Sequence, residues 1–324
     1  MKRFVILMIT CMLALSCAAG FAFAQGEDRI GIVCTTFPQY DWVREILGDD
    51  IENVEMTLLM DSGVDLHSYQ PTAADIAAIA ACDLFIYVGG ESDEWVEDAL
   101  EASQNTDLKV ISMLESVEAK EEEIVDGMQN DDDHGHSHDE DEIEYDEHVW
   151  LSLKNARTLV SIINAALCEL NPGMSRVYQA NADAYMDRLA DLDGEYQSMV
   201  DCAARNVVLF GDRFPFRYLA DDYGLEYYAA FSGCSAETEA SFETIVFLSQ
   251  VVDQLDLPVV MVIEGTDYSV AETVVRNTQS KDQIILVMNS MQSVTGADVQ
   301  NGVDYLSIMR DNLNALTAAL NQGM

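Results

Sequence analysis

The chain has 324 residues, a formal net charge of −42 and 49% hydrophobic residues. This length is sufficient for two domains with separate cores, and the hydrophobic content is that of a globular protein with an acidic surface. The negative charge argues against nucleic acids and anionic lipid surfaces as partners and favours cations.

The N-terminus predicts export. Residues 1–24 are interpreted as a signal peptide, because two basic residues precede an apolar run at 4–15 and Ala22-Phe23-Ala24 fits the small-x-small cleavage rule. Acylation of Cys17 is the alternative, although the preceding residues form an imperfect lipobox. No later apolar run is long enough to span a bilayer. We therefore expect a protein in the periplasm or at the cell surface, with a lipid anchor through Cys17 left open.

Residues 29–112 alternate short apolar or β-branched runs with helical patterns. This alternation predicts a parallel sheet with crossover helices. The predicted strands are 29–36, 54–59, 84–88 and 109–112, and the predicted helices are 38–47, 73–81 and 92–102.

An acidic, histidine-rich loop is predicted at 121–147. Its densest part, residues 131–147, holds ten carboxylates and three of the five histidines of the chain (His134, His136 and His138). Such a segment cannot bury enough apolar surface to offset its ordering entropy, so it is predicted to be mobile. Its imidazole nitrogens and carboxylate oxygens suit a divalent cation such as zinc. The alternative is a solvated loop with incidental histidines, and the metal interpretation is preferred because His-rich tracts are typical of metal binding.

A long helical pattern then predicts a linking helix at 173–204, after a helix at 154–169. About thirty residues at ~1.5 Å rise form a rod of roughly 45 Å, which we interpret as a strut between an N-terminal lobe (25–172) and a C-terminal lobe (205–324). The second lobe repeats the alternation, with strands at 207–210, 226–231, 259–263 and 284–288 and helices at 216–223, 239–255, 268–278 and 302–320. The predicted fold class is two α/β lobes with mainly parallel sheets, and ligands are expected in the cleft between their strand ends.

Two histidines outside the acidic segment are candidate metal ligands. His67 follows the second predicted strand and His148 follows the acidic loop, and aromatic residues (Tyr69 and Trp150) lie two positions after each. Each alone is compatible with an ordinary hydrogen-bonded loop histidine. Together, at strand ends and beside aromatic side chains that restrict water, they indicate a pair of imidazole ligands.

The sequence around these histidines resembles a known family. Residues 66–71 (Leu-His-Ser-Tyr-Gln-Pro) and 146–151 (Asp-Glu-His-Val-Trp-Leu) are similar to the two histidine motifs of the metal-binding solute-binding proteins of ABC transporters, which take up zinc or manganese. Residues 178–192 resemble that family's linking helix, and 218–225 resemble the segment after its third ligand. The resemblance implies an exported subunit that binds a metal ion between two lobes and delivers it to a membrane permease. The acidic loop is similar to that of zinc-uptake members.

The resemblance also implies a third ligand at a position that Arg213 occupies here. A guanidinium cannot coordinate a cation, so the neighbouring Asp212 is the predicted substitute. The alternative for Asp212 is a salt bridge to Arg213 or Arg217. The fourth ligand of the family corresponds to Asn289, whose amide oxygen can bind without a charge. Three further carboxylates near the cleft are possible additional ligands: Glu237, Glu239 and Glu264.

Two imidazoles, one carboxylate and one amide oxygen suit Zn²⁺ at near-tetrahedral geometry. Mn²⁺ prefers more oxygen ligands and lies lower in the affinity order, so zinc is the predicted transported ion and manganese, or iron, the alternative. An exported zinc hydrolase is a rival interpretation, but HExxH or an equivalent is missing. A metal buffer or adhesin that works without a permease is a third. We expect a monomer that is not an enzyme.

The five cysteines after the signal peptide show no CxxC or Cys–His spacing typical of a zinc site. They are expected to be small buried residues with up to two disulfides. These cysteines are Cys34, Cys82, Cys168, Cys202 and Cys234.

Overall fold

A computed structural model describes residues 29–103, 105–129, 144–235 and 239–322. The first four strands form a parallel sheet in the order β2-β1-β3-β4. This arrangement confirms the α/β class predicted for this part of the chain. The strands are β1 (Ile30–Cys34), β2 (Val54–Leu58), β3 (Leu84–Tyr87) and β4 (Lys109–Ser112), and the helices between them are α1 (Phe37–Leu47), α2 (Ala73–Ala81) and α3 (Trp95–Glu101).

Two helices follow, α4 (Leu153–Leu170) and α5 (Ser175–Asp201). The 27 residues of α5 extend over about 40 Å at 1.5 Å rise per residue. Near its start, the Asn181 side chain donates to the carbonyl of Ile46 at the end of α1 (3.0 Å). Near its end, the Tyr196 hydroxyl donates to the carbonyl of Met309 (2.6 Å). The helix therefore contacts both halves of the chain, while the lobe boundaries at 172 and 204 stay predictions.

The second half repeats the architecture, with a parallel sheet in the order β6-β5-β7-β8. Its strands are β5 (Val207–Phe214), β6 (Glu226–Ser232), β7 (Val259–Ile263) and β8 (Ile284–Met288), and its helices are α6 (Arg217–Tyr223), α7 (Phe242–Leu255), α8 (Ser269–Asn277), α9 (Gly296–Gln300) and α10 (Tyr305–Asn321). None of the helices in the described ranges is both long and apolar enough to cross a membrane.

Three predicted boundaries in this half are wrong. Helix α7 begins at Phe242 instead of Glu239, because Ser241 caps it. Strand β5 continues to Phe214 instead of ending at Phe210, because the chain rejoins β6 after a register shift between Phe210 and Arg213. The final helix begins at Tyr305 instead of Gly302, because Gly302 has a φ of +91° after α9 and Asp304 caps α10. A helical pattern in sequence does not show a left-handed residue that interrupts it.

One hydrophobic core contains residues of both halves, and the C-terminal half has a second core of its own. Tyr305 and Trp150 are fully buried, and the Tyr305 hydroxyl donates to the Trp150 carbonyl (2.6 Å). The Trp150 indole N–H donates to the carbonyl of Ser290 (2.9 Å). Because this core joins an N-terminal segment to β8 and α10, it fixes the backbone directly after His148.

Candidate metal centre

His67 lies in a single 3₁₀ turn, Leu66–Ser68, after β2. The Asp65 carboxylate caps this turn by accepting from the His67 backbone N–H (3.1 Å). The Nδ1 atom of the His67 ring lies 2.8 Å from the Ser92 hydroxyl and 3.5 Å from Oε2 of Glu147. These contacts use one side of the ring and leave Nε2 directed at His148.

His148 is fully buried and precedes the 3₁₀ turn Val149–Leu151. One oxygen of Asp146 accepts from the His148 backbone N–H (2.8 Å) and lies 3.0 Å from its Nδ1. A carboxylate at Nδ1 favours the tautomer that carries the proton there, so the lone pair is on Nε2. This carboxylate–imidazole pair is the arrangement that commonly orients a zinc-bound histidine.

The two imidazoles face each other across 3.3 Å, measured from Nε2 of His67 to Nε2 of His148. Zn–N bonds of about 2.0–2.1 Å at a tetrahedral angle separate two ligand nitrogens by about 3.3 Å. The sequence predicted that these residues meet, and the structure brings them together at the spacing that one shared zinc ion requires.

The surrounding groups shift the pKa values of the two rings in opposite directions. Burial and the neighbouring His148 lower the pKa of His67 to about 3, so its ring is uncharged at neutral pH and able to coordinate. Burial also disfavours the charged form of His148, but the Asp146 carboxylate outweighs it and raises the pKa of His148 above its ordinary value. Both effects come from groups that the fold fixes around the pair.

A cysteine completes the cluster. Among the described residues, His67, His148 and Cys234 are the one group of three or more His, Cys, Asp or Glu side chains with ligand atoms all within 4.8 Å of one another. Cys234 follows β6, and its backbone N–H donates to Oε1 of Glu122 (3.0 Å). Sequence spacing gave no indication of this contact, because tertiary structure alone brings the segment after β6 to His148. All five cysteines in the described ranges are free, so the predicted disulfides are not formed.

Acidic side chains surround the cluster. Oε1 of Glu147 accepts from the Ser92 N–H (2.8 Å), while Oε2 is buried without a hydrogen-bond partner. Burial raises the pKa of Glu147 to about 7 and also raises that of Glu122. Burial disfavours the charged form of these carboxylates, and a cation that enters beside them stabilises that form.

Two other predicted ligands, Asp212 and Asn289, accept hydrogen bonds from groups of the C-terminal half. Oδ2 of Asp212 accepts from the Thr266 hydroxyl (2.8 Å) and from the Ile263 N–H (3.3 Å), and Oδ1 accepts from the Arg213 N–H (2.8 Å). The side-chain oxygen of Asn289 accepts from the Met291 N–H (2.7 Å). Both groups stabilise loops of their own half of the chain. Asp212 lines the same cavity as His67 but has no carboxylate oxygen within 4.8 Å of a nitrogen of both histidines, so the ligand roles of Asp212 and Asn289 stay predictions.

The other predicted carboxylates lie at different places in the C-terminal half. Glu264 accepts from the backbone N–H and hydroxyl of Ser290 (2.7 and 2.8 Å) and from the Ser293 hydroxyl (3.2 Å), which fixes the turn after β8. Glu239 is exposed at the mouth of the cleft. The remaining predicted site residues lie outside the described ranges: Glu237, His134, His136 and His138.

Arg213 connects the segment of His67 to the segment of Cys234. Its NH2 group pairs with Oδ2 of Asp65 (2.6 Å), the residue that caps the His67 turn. Its NH1 group donates to the carbonyl of Ser235, next to Cys234 (3.3 Å). A guanidinium is not a metal ligand, but this one holds the turn of His67 against the segment of Cys234.

Gly90 makes room for Glu147, which gives a testable prediction. Gly90 has a φ of +87°, and a Cβ placed on it would lie 2.7 Å from Cγ of Glu147. We expect Gly90→Ala to destabilise the fold by about 1–2 kcal/mol through backbone strain and to weaken zinc binding by displacing Glu147. Chemical denaturation and zinc competition titration measure these effects.

Gly302→Ala is the matched control for this experiment. Its φ is +91°, and a Cβ there meets nothing within 4 Å. It carries the same backbone strain without a contact to the site, so its zinc affinity should equal that of the wild type. Equal zinc affinities of the two variants would show that the Glu147 position does not matter for binding.

Comparison with known proteins identifies the family. The family model of the zinc-uptake complex component A, periplasmic, matches residues 32–319. The chain belongs to this family. A solved structure of the Zn(II)-bound ZnuA-like domain of AdcA from Streptococcus pneumoniae is similar to this member with a TM-score of 0.70 and 26% identity, covering 91% of this chain and all of that domain.

Two curated relatives are similar to most of this chain. The zinc-binding lipoprotein AdcA of Streptococcus pneumoniae (strain ATCC BAA-255 / R6) is 30% identical over 98% of this chain, but the match spans only 61% of that relative. The high-affinity zinc uptake system protein ZnuA of Bacillus subtilis (strain 168) is 28% identical over 94% of this chain and 92% of its own length. The chain thus spans about three fifths of the first relative and nearly all of the second.

Proposed function

We propose that this chain is the extracytoplasmic substrate-binding subunit of an ABC importer that captures Zn²⁺ and delivers it to a membrane permease. The observation that carries the proposal is the 3.3 Å separation of the His67 and His148 Nε2 atoms. Imidazole ligands favour zinc over manganese, which prefers oxygen. The relatives named as zinc-binding and zinc-uptake proteins support the same ion.

The chain binds and transfers its ion without catalysis in this proposal. The family model describes a component of a zinc-uptake complex, which supports transport over the hydrolase interpretation. Residues 1–24 act as the export signal. The alternative is cleavage before Cys17 and a lipid anchor at that residue, which the relative named a lipoprotein supports. The subunit is proposed to act as a monomer.

Metal titration tests the function directly. We expect the metal-free protein to bind one zinc ion per chain tightly, measured by competition with a chromogenic chelator. Equimolar zinc should displace manganese from the loaded protein. A protein that binds no zinc in competition with the chelator, or that retains manganese against zinc, would contradict the proposal.

The shared core implies that metal binding changes the overall shape little. Trp150 connects to both Tyr305 and Ser290, and α5 contacts both halves, so the cleft has limited freedom to open. We expect X-ray scattering profiles of the metal-free and zinc-loaded protein to coincide closely. A large compaction on zinc addition would refute the limited closure.

The acidic segment is proposed to concentrate ions near the cleft. Deleting residues 131–144 should remove several weak zinc sites and leave the tight one, which isothermal titration calorimetry resolves as separate binding phases. A variant with His134, His136 and His138 replaced by alanine keeps the acidic charge and serves as the control for electrostatic attraction alone. Loss of the tight phase in the deletion variant would show that the segment belongs to the primary site.

A further inference from the structure

We infer that the Cys234 sulfur is a third ligand of the ion held by His67 and His148, which makes the site an N₂S set that selects thiophilic divalent cations. The inference rests on the proposed metal-binding function of the histidine pair. It assigns to the C-terminal half a ligand that neither the histidine motifs nor the relatives' names indicate. The ion would then be bound by side chains from both halves of the chain.

The distances allow this coordination. The Cys234 sulfur and a nitrogen of each histidine all lie within 4.8 Å of one another. Zn–S and Zn–N bonds of about 2.3 and 2.0–2.1 Å at tetrahedral angles place sulfur about 3.6 Å from each nitrogen. The sulfur therefore has to approach by no more than about 1.2 Å, a movement that a cysteine on a short turn accommodates.

The backbone around Cys234 is shaped for this approach. A Cβ on the preceding residue, Gly233, would lie 3.2 Å from the His148 ring and 3.0 Å from the carbonyl oxygen of Phe214. Glycine is therefore the residue that lets this turn lie against the imidazole. On the other side, Glu122 accepts from the Cys234 N–H (3.0 Å), so the turn is also fixed from the N-terminal half.

Among the described His, Cys, Asp and Glu residues of the C-terminal half, Cys234 alone has its ligand atom within 4.8 Å of a nitrogen of both histidines. Arg213 stands where the resemblance implies a ligand, and its guanidinium is engaged with Asp65 and the Ser235 carbonyl. The Asp212 carboxylate is turned to Thr266. The arginine contact to Ser235 instead holds the neighbouring Cys234 near the histidines.

Zinc binds cysteine as the thiolate. When the ion enters, the S–H bond is exchanged for an S–Zn bond and the proton passes to water, with no change in oxidation state. A thiolate ligand strengthens binding of Zn²⁺ and Cd²⁺ and gives little to Mn²⁺, which favours oxygen. Cys234 thus determines the metal selectivity of the site. A third histidine or a carboxylate in its place would be a harder ligand and would favour thiophilic cations less.

Replacing zinc with cobalt tests directly whether the Cys234 sulfur is a ligand. We expect Co²⁺ bound to the full-length wild-type protein to show d–d bands together with a thiolate-to-cobalt charge-transfer band in the near ultraviolet. Cys234→Ala should lose the charge-transfer band, keep d–d bands from the histidine-bound ion, and bind zinc at least about tenfold more weakly. Cys202→Ala, at an exposed cysteine, is the matched control and should keep the wild-type spectrum and affinity.

A wild-type protein that binds cobalt without the charge-transfer band, or a folded Cys234→Ala variant that retains the band, would overturn the Cys234 assignment and leave the histidine pair intact. A wild-type protein that binds neither cobalt nor zinc would instead refute the proposed function.

Zinc K-edge X-ray absorption on the wild-type protein is a second test, and it does not depend on the folding of a variant. One sulfur neighbour at about 2.3 Å is expected, and a shell of nitrogen and oxygen alone would overturn the inference.

Discussion

Replacing His148 with alanine should lower the affinity for zinc by more than about a hundredfold, beyond the loss expected when only a supporting partner of a ligand is removed. The physical reason is that His148 is fully buried and offers the Nε2 lone pair that faces His67 at 3.3 Å. Competition titration with a zinc chelator measures the change.

Two further variants make this result specific to the ligand. His148→Gln fills more of the buried space than alanine and should lose affinity similarly, because its amide cannot reproduce the imidazole nitrogen. His136→Ala, in the acidic segment, should leave the tight site unchanged. If His148→Ala folds and binds zinc like the wild type, the histidine pair is not the capture site.

Removing the carboxylate behind His148 should have the second largest effect. Asp146 accepts from Nδ1 and from the backbone N–H of His148, so it sets both the tautomer and the ring orientation. Losing such a partner of a metal ligand costs about 10–100-fold in affinity. We expect Asp146→Ala to approach the upper value and Asp146→Asn, which keeps an accepting oxygen, to approach the lower one.

Tyr218→Phe is the control for this series. The Tyr218 hydroxyl donates to the Asp146 carbonyl (2.8 Å) and accepts from the Lys120 N–H (3.1 Å), so its loss disturbs the same segment without removing the carboxylate. We expect lower stability of this variant, by about 1–3 kcal/mol in chemical denaturation, with a zinc affinity close to wild type. A drop in affinity equal to that of Asp146→Ala would mean that segment rigidity, and not the carboxylate, supports the site.

Much of the fold could be predicted from the sequence because local pattern and tertiary structure agree. Buried apolar runs such as Val259–Ile263 form strands where the sequence predicts them, and Thr72 caps α2 with Asp75 in its first turn. Two of the errors fall where a backbone irregularity decides the outcome. The register shift beside Asp212 and the positive φ of Gly302 have no periodic signature in the sequence.

The site was predictable only in part, for a related reason. His67 and His148 lie in compact motifs with recognisable neighbours, so the sequence indicated both. Only its position beside Arg213 predicts Asp212 as a ligand, and within β5 its carboxylate accepts from the Thr266 hydroxyl. Cys234 has no motif spacing, and its approach to His148 depends on Gly233 and on the contact with Glu122.

Anomalous diffraction at the zinc edge on crystals of the zinc-loaded protein tests the central claim most directly. The account predicts one strong anomalous peak about 2.0–2.1 Å from Nε2 of both His67 and His148. A strong peak coordinated by other residues, with these two rings bound to no common ion, would contradict it.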